Sequence, residues 1–543
     1  MPASPDAAPP GRRPARCATL LALALLALQA AWVLTVPPFR GIDEFDHAYR
    51  AAAVAHGQLV PSERPVEVGR GEYVEVPATL VAAATEVCET YAYTGPDNCR
   101  AARTLPDGYV EVASAAARYN PAFYWLIGLP SSSFDGAAYV YALRSAAALL
   151  CASLVWCAGY ALSVGSRSGW PFLGLAVAAT PVLVYSTSLG APNGVEMCAG
   201  LALWSALLAL RRSWLTRRQE QVLLLMAGAA ACALVTTRLL GPAWLVAVLV
   251  TAAPLLGRQR AAEIIRAHRR TTLLGAAAVT TATGAAAWWT LLARPNALTG
   301  GDAAAEVGQA DPLRDSLAQL PLWVLQSVAA FPTRSEPAPA YVYAAGLAAL
   351  GLVGVLVLRR VPGAARWWLL GATVVWLGMQ LAVGLVTYQH LGGAWQGRYA
   401  LPFAVGIPVA AGALAERYAA TGPPRLVTAV VVAMVGSAHA VSTLAVLRAE
   451  LRSSPLAGDP AWVAAPAWLL LALTVLAVGL GSLAASPPQA PVMSRRSGSG
   501  RQAAALAATQ PSSAARALPL SRDSAACSIP AASASSGSSE PPR

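Results

Sequence analysis

The sequence contains no lysine and little charge of either sign. Charged residues make up 12% of its 543 residues, against roughly 25% in a typical soluble domain. Hydrophobic residues make up 56%. This composition excludes an ordinary soluble protein and makes a membrane the environment of most of the chain. The absence of lysine, together with abundant arginine, alanine and glycine, is typical of a protein from a high-GC bacterium.

Several sequence motifs are absent as well. The sequence has no P-loop, which argues against ATP hydrolysis, and no GxGxxG after a strand, HExxH or GxSxG. None of the cysteines has zinc-ligand spacing, so no structural metal is predicted. The net charge of +12 does not indicate nucleic acid, because the arginines form short clusters between apolar segments. Clusters placed in this way are signals of membrane topology.

About twelve segments are apolar over a length that can cross a bilayer. They are 17–36, 137–163, 170–188, 194–210, 220–236, 240–256, 271–293, 341–358, 367–387, 401–418, 426–447 and 463–485. With the N-terminus inside, the arginine clusters fall on the cytoplasmic side, which places both termini in the cytoplasm. The predicted fold is therefore all-α, a polytopic transmembrane helical bundle in a plasma membrane.

The same pattern predicts the organisation of the chain. The first apolar run is interpreted as a retained anchor rather than a cleaved signal peptide, because it lacks a clean cleavage site. The apolar segment 120–134 is too short to span and is interpreted as interfacial or re-entrant. The predicted regions are a cytoplasmic segment 1–16, a transmembrane domain 17–485 with extracytoplasmic loops 37–136 and 294–340, and a disordered cytoplasmic tail 486–543.

The first loop opens with a polar helix that directly follows the first span. A helix is predicted from Asp43, which can cap it, to His56, with Gly57 after its end. The spacing i, i+3, i+4, i+7 puts one set of side chains on a single face. This set is Asp43, Asp46, His47 and Arg50. Carboxylates at the membrane surface can act as a general base or hold a divalent cation; the alternative is a solvated face with local ion pairs.

Other polar residues lie in or beside apolar spans on the same predicted side. They are Arg144, Asn193, Glu196 and Arg238. Ionisable groups at membrane depth are costly and often functional, so these residues favour one outward-facing cavity. For Arg144 and Arg238 the alternative is snorkelling to the interface. In the loop 388–400, Arg398 follows His390, Trp395 and Gln396, a combination that suits a phosphate and a sugar ring, or an anchored interface turn.

Two cysteines lie in the first loop, outside the predicted spans. Cys88 and Cys99 are close in sequence and would face an oxidising compartment. They form either a short disulfide-closed loop or two free thiols.

Four ordered stretches resemble the bacterial membrane proteins called domain of unknown function 2142 (DUF2142). DEFDHAYRAAAVAHGQLVP is similar to the opening PPDEPAHFYRAYQLAxG of that family, and YNPAFYW to its YPPLYY. TPVLVYSTSLGAPNGVEM is similar to its TPMxxxxxxSxNPNGxE, and WQGRYALP to its QGRYLLP. The resemblance covers roughly residues 17–485. Phe45 replaces a proline that is common in relatives, and Gly190 and Ala191 depart from the third motif.

The DUF2142 family is similar to the GT-C type membrane glycosyltransferases, which implies a polyprenyl-phosphate sugar as donor. By this resemblance Asp43 and Glu44 match the acidic pair of the first loop, which serves as base or metal ligands, and His47 matches the following histidine. Arg398 matches the arginine of the late motif, which is a candidate phosphate contact. Apart from the resemblance, Arg144 or Arg238 could assist Arg398 in neutralising the lipid phosphate. Asn193 and Glu196 match a motif whose role the resemblance does not give.

The leading hypothesis is a glycosyltransferase that uses a lipid-linked sugar at the outer face of the membrane, in assembly of cell-envelope glycans. Asp43 and Glu44 are its candidate catalytic residues and tentative metal ligands. Asp46, His47 and the polar residues of the spans are candidates for substrate binding. The alternatives are a transporter or flippase of a lipid-linked precursor and a non-catalytic scaffold of envelope assembly. The partners expected from the sequence are membrane lipid and a polyprenyl-phosphate sugar, without nucleic acid.

Overall fold

The computed structural model of the chain describes residues 14–293, 311–331, 337–391 and 395–486. Most of these residues are helical, as expected where a bilayer cannot satisfy backbone polar groups. The elements are α1 Pro14–Thr35, α2 Glu44–Ala55, β1 Glu72–Pro77, α3 Ala78–Cys88, α4 Pro96–Cys99, β2 Arg103–Thr104, β3 Tyr109–Ser114, α5 Pro121–Ser131, α6 Gly136–Gly165, α7 Trp170–Ala178, α8 Pro181–Thr187, α9 Asn193–Leu210, α10 Arg217–Thr237, α11 Gly241–Leu256, α12 Arg258–Ala267, α13 Arg269–Ala293, α14 Pro312–Gln326, α15 Ala340–Arg360, α16 Gly363–Leu391, α17 Leu401–Ala404, α18 Gly406–Tyr418, α19 Arg425–Ser453 and α20 Ala467–Ala485. The described residues also include two 3-10 turns, Pro106–Gly108 and Gly397–Ala400.

Within these ranges, nine helical segments are long and apolar enough to cross a membrane, and up to eleven if each of two bent pairs is one span. The bent pairs are α7 with α8, at 73°, and α11 with α12, at 101°. The polytopic helical membrane protein predicted from the sequence is thus confirmed. The predicted count of twelve exceeds this range by one. The segment predicted at 271–293 lies in α13, which is long enough but too rich in alanine and threonine to meet the same hydropathy.

The helices pack around α9, the most buried of the candidate spans. α6 and α10 lie against α9, and α1 packs between α6 and α20. Where Gly159 of α6 meets α1, an added Cβ would lie 3.1 Å from the Cα of Ala18, so glycine permits the close approach. α1 is therefore an integral part of the bundle in this structure.

The region between α1 and α6 contains a small sheet that the all-α prediction omitted. β1 and β2 pair antiparallel with β3, which is the central strand. α2 packs on β1 and on the short helix α5. At 11 residues, α5 is too short to span, as expected for the segment 120–134, whose interfacial or re-entrant placement stays a prediction. The sheet and α5 thereby hold α2 beside the bundle.

Parts of the predicted organisation fall outside the described residues. These parts are residues 1–13, most of the tail 486–543, and the segments 294–310 and 332–336 of the second loop. In the remainder of that loop the structure has the helix α14, which begins after Asp311. Asp311 caps this helix, because its Oδ1 accepts hydrogen bonds from the backbone N–H groups of Leu313 and Arg314.

Candidate functional site

The helix α2 presents the polar cluster, and its limits match the prediction to within one residue. It begins at Glu44 after Asp43, and Gly57 follows its end with a φ of 98°. Asp43 has a φ of 53°, in the left-handed region that aspartate tolerates better than most residues. Its side chain makes no capping hydrogen bond. The carboxylate is 39% exposed and lies 3.6 Å from the guanidinium of Arg70.

Asp46 lies one turn further along α2 and is buried. Its carboxylate accepts hydrogen bonds from Arg70, at 2.6 Å, and from the backbone N–H of Ala115, at 2.7 Å. Burial raises the pKa of Asp46 to about 6, although the charge of Arg70 acts in the opposite direction. Arg70 thus bridges the carboxylates of Asp43 and Asp46. Asp46 is held by contacts within the region between α1 and α6, which we call the outer region.

His47 is surrounded by the charged groups of the site. Its Nδ1 lies 2.8 Å from the hydroxyl of Tyr124 on α5. Burial lowers the pKa of His47 to about 4; the carboxylate of Asp43 opposes this shift, and the cations Arg238, Arg398 and Arg70 add to it. The imidazole is therefore neutral at neutral pH. The His47 ring also lies 5.7 Å from the ring of Tyr119, which interacts with Arg238, so these groups share one neighbourhood.

Glu44 points away from this cluster into the bundle. It forms a two-bond ion pair with Arg144 of α6, at 2.7 and 2.6 Å, and both side chains are almost fully buried. Arg144 also donates to the backbone carbonyls of Val36 and Pro37, at 2.6 and 2.8 Å. The second carboxylate oxygen of Glu44 accepts from the Gly41 N–H as well. This geometry leaves Glu44 no access to a substrate or a metal, and Arg144 none to a phosphate, and it assigns both a structural role.

Arg238 follows α10 and joins it to the first turn of α9. It donates a hydrogen bond to the side-chain oxygen of Asn193, at 2.7 Å, and lies 3.8 Å from the carboxylate of Glu196. Its guanidinium also lies 4.6 Å from the ring centroid of Tyr399 and interacts with Tyr119. The mid-chain motif that contains Asn193 and Glu196 therefore anchors an arginine.

Arg398 is the least neutralised cation of the site. It is 2% exposed, and its Nε has no hydrogen-bond partner among the residues that the structure describes. Across those residues no carboxylate lies within ion-pair distance of it. Its guanidinium carbon lies 5.3 Å from the ring centroid of Tyr399. Arg238 and Arg398 thus flank the same aromatic ring.

The turn that carries Arg398 is held by the end of α14. The N–H of Gly397 donates to the side-chain oxygen of Gln326, at 3.0 Å, and the Ser327 hydroxyl donates to the carbonyl of Gly397, at 3.1 Å. A Cβ on Gly397 would lie 1.7 Å from the backbone oxygen of Trp323. Only glycine fits this close approach, so the QGR sequence fixes the position of Arg398.

The structure thus brings Asp43, His47, Arg238 and Arg398 together with Asn193 and Glu196, and we call this set the outer site. Arg70 and Tyr399 belong to it and were missed by sequence reasoning. Tyr399 stood beside Arg398 in a quoted motif, whereas Arg70 gave no signal beyond two flanking glycines. The side chain of His390 lies outside the described part.

A divalent cation does not fit the acidic residues of α2. Glu44 is committed to Arg144, and Asp46 to Arg70 and a backbone N–H. Among the described residues no group of three or more His, Cys, Asp or Glu side chains converges as a metal site requires. The tentative assignment of Asp43 and Glu44 as metal ligands has no geometric support.

The two loop cysteines are joined in the structure. Cys88 at the end of α3 and Cys99 at the end of α4 form a disulfide, with 5.3 Å between their Cα atoms. The hydroxyl of Thr85 donates to the carbonyl of Cys99, at 2.9 Å, and so also links the two helices. The disulfide and this hydrogen bond join α3 to α4, and Asn98 of α4 in turn donates hydrogen bonds to the carbonyls of Arg70 and of Ala113 in β3.

Comparison with known proteins adds one finding to this geometry. No curated protein and no solved structure matches the chain. The model of a family described as predicted membrane protein (DUF2142) matches residues 26–407 and so covers the last part of α1, the outer region and the turn of Arg398. The match includes every residue of the outer site, and the chain therefore belongs to the DUF2142 family.

Proposed function

We propose that the protein is a glycosyltransferase that moves a sugar from a polyprenyl-phosphate donor at the outer face of the plasma membrane. One observation carries this proposal: a buried arginine without a described carboxylate partner, Arg398, lies in one cluster with the half-exposed carboxylate of Asp43. A buried cation is costly unless an anion neutralises it. The ligand that best meets this need is a phosphate group.

The balance of charge in the outer site favours a phosphodiester, which carries one negative charge. Arg238 is neutralised by Glu196, and Arg70 by Asp46. Arg398 then remains as the cation available to a ligand. Arginine binds phosphate oxygens through well-directed, charge-assisted hydrogen bonds. A sugar linked to a lipid through a single phosphate supplies one such anion.

The proposed reaction needs a base on one side of the sugar and a cation on the other. Asp43 removes the proton of an acceptor hydroxyl, whose oxygen forms a bond to the anomeric carbon of the sugar. The bond from that carbon to the phosphate oxygen breaks, and the lipid phosphate leaves with the electron pair. Arg398, with Arg238 beside it, stabilises the charge that develops on this phosphate. The neutral His47 orients the groups between them.

The transporter hypothesis depended on arginines that line a path through the membrane. Arg144 is fully buried, and Glu44 and the carbonyls of Val36 and Pro37 already accept its hydrogen bonds. An arginine held in this way supports a structural role better than a transport path. The scaffold hypothesis does not account for Arg398, a buried cation without a carboxylate partner among the described residues.

The test is sugar transfer by the full chain reconstituted in lipid. Radiolabelled polyprenyl-phosphate sugars and a crude cell-envelope acceptor are added, with and without EDTA, and transferred label is counted. We expect transfer that EDTA leaves unchanged and that Asp43→Asn lowers by about 100-fold or more. Asp107→Asn is the matched control, because Asp107 is also an exposed aspartate with a left-handed φ, of 59°.

Two results would decide against the proposal. Full transfer by Asp43→Asn would remove Asp43 as the base. No transfer from any donor by a folded protein, with the lipid donor carried across the bilayer unchanged, would favour the transporter.

A further inference from the structure

A second charged site lies on the arginine-rich face that is predicted to be cytoplasmic. A cavity of about 590 Å³ opens between the first turn of α10 and the short helix α12. This volume is in the range of small-molecule sites. Its charged lining residues are Arg217, Glu220, Arg260, Glu263 and Arg266. The outer site uses none of them.

The carboxylates of this cavity already have partners. Glu220 pairs with Arg260 and with the imidazole of His268, the latter at 2.9 Å. Glu263 lies 3.7 Å from Arg260 and accepts a hydrogen bond from Gln259, at 3.1 Å. Both carboxylates of the lining therefore have Arg260 as a cationic partner.

Two arginines of the lining remain available to a ligand. Arg217 and Arg266 are exposed, and within the described residues neither lies within ion-pair distance of a carboxylate. The Nε of Arg266 donates only to a carbonyl of its own helix, Ala262, at 3.2 Å. Because these two cations come from different helices, they face one cavity from two directions. The opening is thus suited to an anion.

The position of the cavity along α10 fits a lipid headgroup. α10 has 21 residues, a length of about 30 Å and thus about the thickness of the hydrocarbon core. Arg217 begins this helix and Arg238 of the outer site follows its end, so the two sites lie one membrane thickness apart. α12 is bent by 101° from α11, and its Ile265 is 50% exposed. A helix with an apolar side chain on one face and arginines on another suits the interface of the bilayer.

From these observations we infer that the cavity between α10 and α12 binds the phosphate of an anionic phospholipid headgroup, through Arg217 and Arg266. Phosphatidylglycerol and similar lipids carry the single charge that two unpaired guanidinium groups can share. The lipid would link the start of α10 to α12 and hold both helices at the membrane surface.

The experiment measures lipid retention by the full chain in detergent, with native mass spectrometry. Phosphatidylglycerol or phosphatidylcholine is added to the wild-type protein and to the double variant Arg217→Gln/Arg266→Gln. The matched control is Arg218→Gln/Arg258→Gln, which removes two exposed arginines of the same face that do not line the cavity. Thermal unfolding of each variant establishes that it is folded; Arg266→Gln alone replaces the double variant if that protein does not fold.

We expect the wild type to retain phosphatidylglycerol in preference to phosphatidylcholine. The cavity variant should lose affinity for phosphatidylglycerol by about tenfold or more, and the control pair by less than about twofold. An equal loss in both pairs would overturn the inference, because it would indicate diffuse attraction to the whole face. A second result would overturn it as well. If the cavity variant still retained phosphatidylglycerol, and millimolar inorganic phosphate released the lipid from this variant and from the wild type alike, the lipid would be bound outside the cavity.

Discussion

Arg144 and Glu44 form a two-bond ion pair that joins α6 to α2, and neither side chain is accessible to solvent. Glu44 is one residue from Asp43, yet the two carboxylates point into different environments. The two neighbouring carboxylates at the start of α2 therefore have different roles. Glu44 fixes the helix to the bundle, and Asp43 remains at the surface near Arg398 and His47.

The ion pair makes a first prediction about stability. Arg144→Gln should destabilise the protein by about 3–5 kcal/mol, because it leaves the buried carboxylate of Glu44 without its partner. Thermal unfolding in detergent measures this effect. The double variant Arg144→Gln/Glu44→Gln should recover part of the loss, since it removes both charges. A single variant with the stability of the wild type would contradict the structural role of the pair.

The sequence predicted the local features of α2 well. The polar residues that open α2 and the glycine after it indicated the start, the end and the common face of this helix. It could not predict the role of Glu44, because the partner Arg144 lies 100 residues away on another helix. The same limit applies to Arg70, whose contacts with Asp43 and Asp46 depend on the fold of the loop.

The small sheet shows a signal that was present in the sequence but not used. The letters YVEV occur at 73–76 and again at 109–112. Both copies alternate β-branched and polar residues, as strands do. In the structure the two copies pair antiparallel, with Val74 opposite Val112. Glu75 and Glu111 also face each other, and Arg64 and Arg103 lie near Glu111 to offset the repulsion.

A second prediction concerns the pH dependence of stability. Burial raises the pKa of Asp46 to about 6, so its contribution is full below pH 3.8 and is lost as the pH rises through 6. Burial lowers the pKa of His47 to about 4, so its contribution is full above pH 6.5 and is lost as the pH falls through 4. The two contributions oppose each other, and together they should leave only a weak pH dependence in this range.

Single substitutions should separate the two contributions. In Asp46→Asn the unfolding temperature should fall as the pH is lowered from 6.5 to 4, because only His47 remains. In His47→Gln it should rise over the same range, because only Asp46 remains. Scanning calorimetry in buffered detergent gives both slopes. Parallel slopes in the two variants would contradict the opposed shifts of these neighbours.

A third prediction concerns Gly397, which precedes Arg398. Gly397→Ala should abolish sugar transfer, because a Cβ would lie 1.7 Å from the backbone oxygen of Trp323 and displace the turn. Gly378→Ala is the matched control, since a Cβ at this helical glycine meets no other atom within 4 Å. Transfer and unfolding temperature are measured for both. Wild-type transfer by Gly397→Ala would show that the position of Arg398 does not depend on this contact.

The last prediction compares two buried arginines that differ in their partners. The Nη2 of Arg50 donates to the backbone carbonyls of Leu59 and Tyr119, both at 2.9 Å, whereas the guanidinium of Arg398 makes no hydrogen bond to the described residues; the Nε of each arginine is without a partner there. Arg50→Gln should therefore lower the unfolding temperature, because it leaves buried carbonyls unsatisfied. Arg398→Gln should leave the unfolding temperature unchanged or raise it, because it removes a buried charge that the protein does not neutralise.

Function should respond in the opposite order. Arg398→Gln should lower sugar transfer by about 100-fold or more, as expected when a charge that stabilises the leaving phosphate is lost. Arg50→Gln should retain transfer at temperatures where it is folded. If Arg398→Gln instead lowers the unfolding temperature as Arg50→Gln does, Arg398 is an ordinary structural arginine. A stable Arg398→Gln protein without transfer would indicate that the protein keeps this buried charge for a ligand.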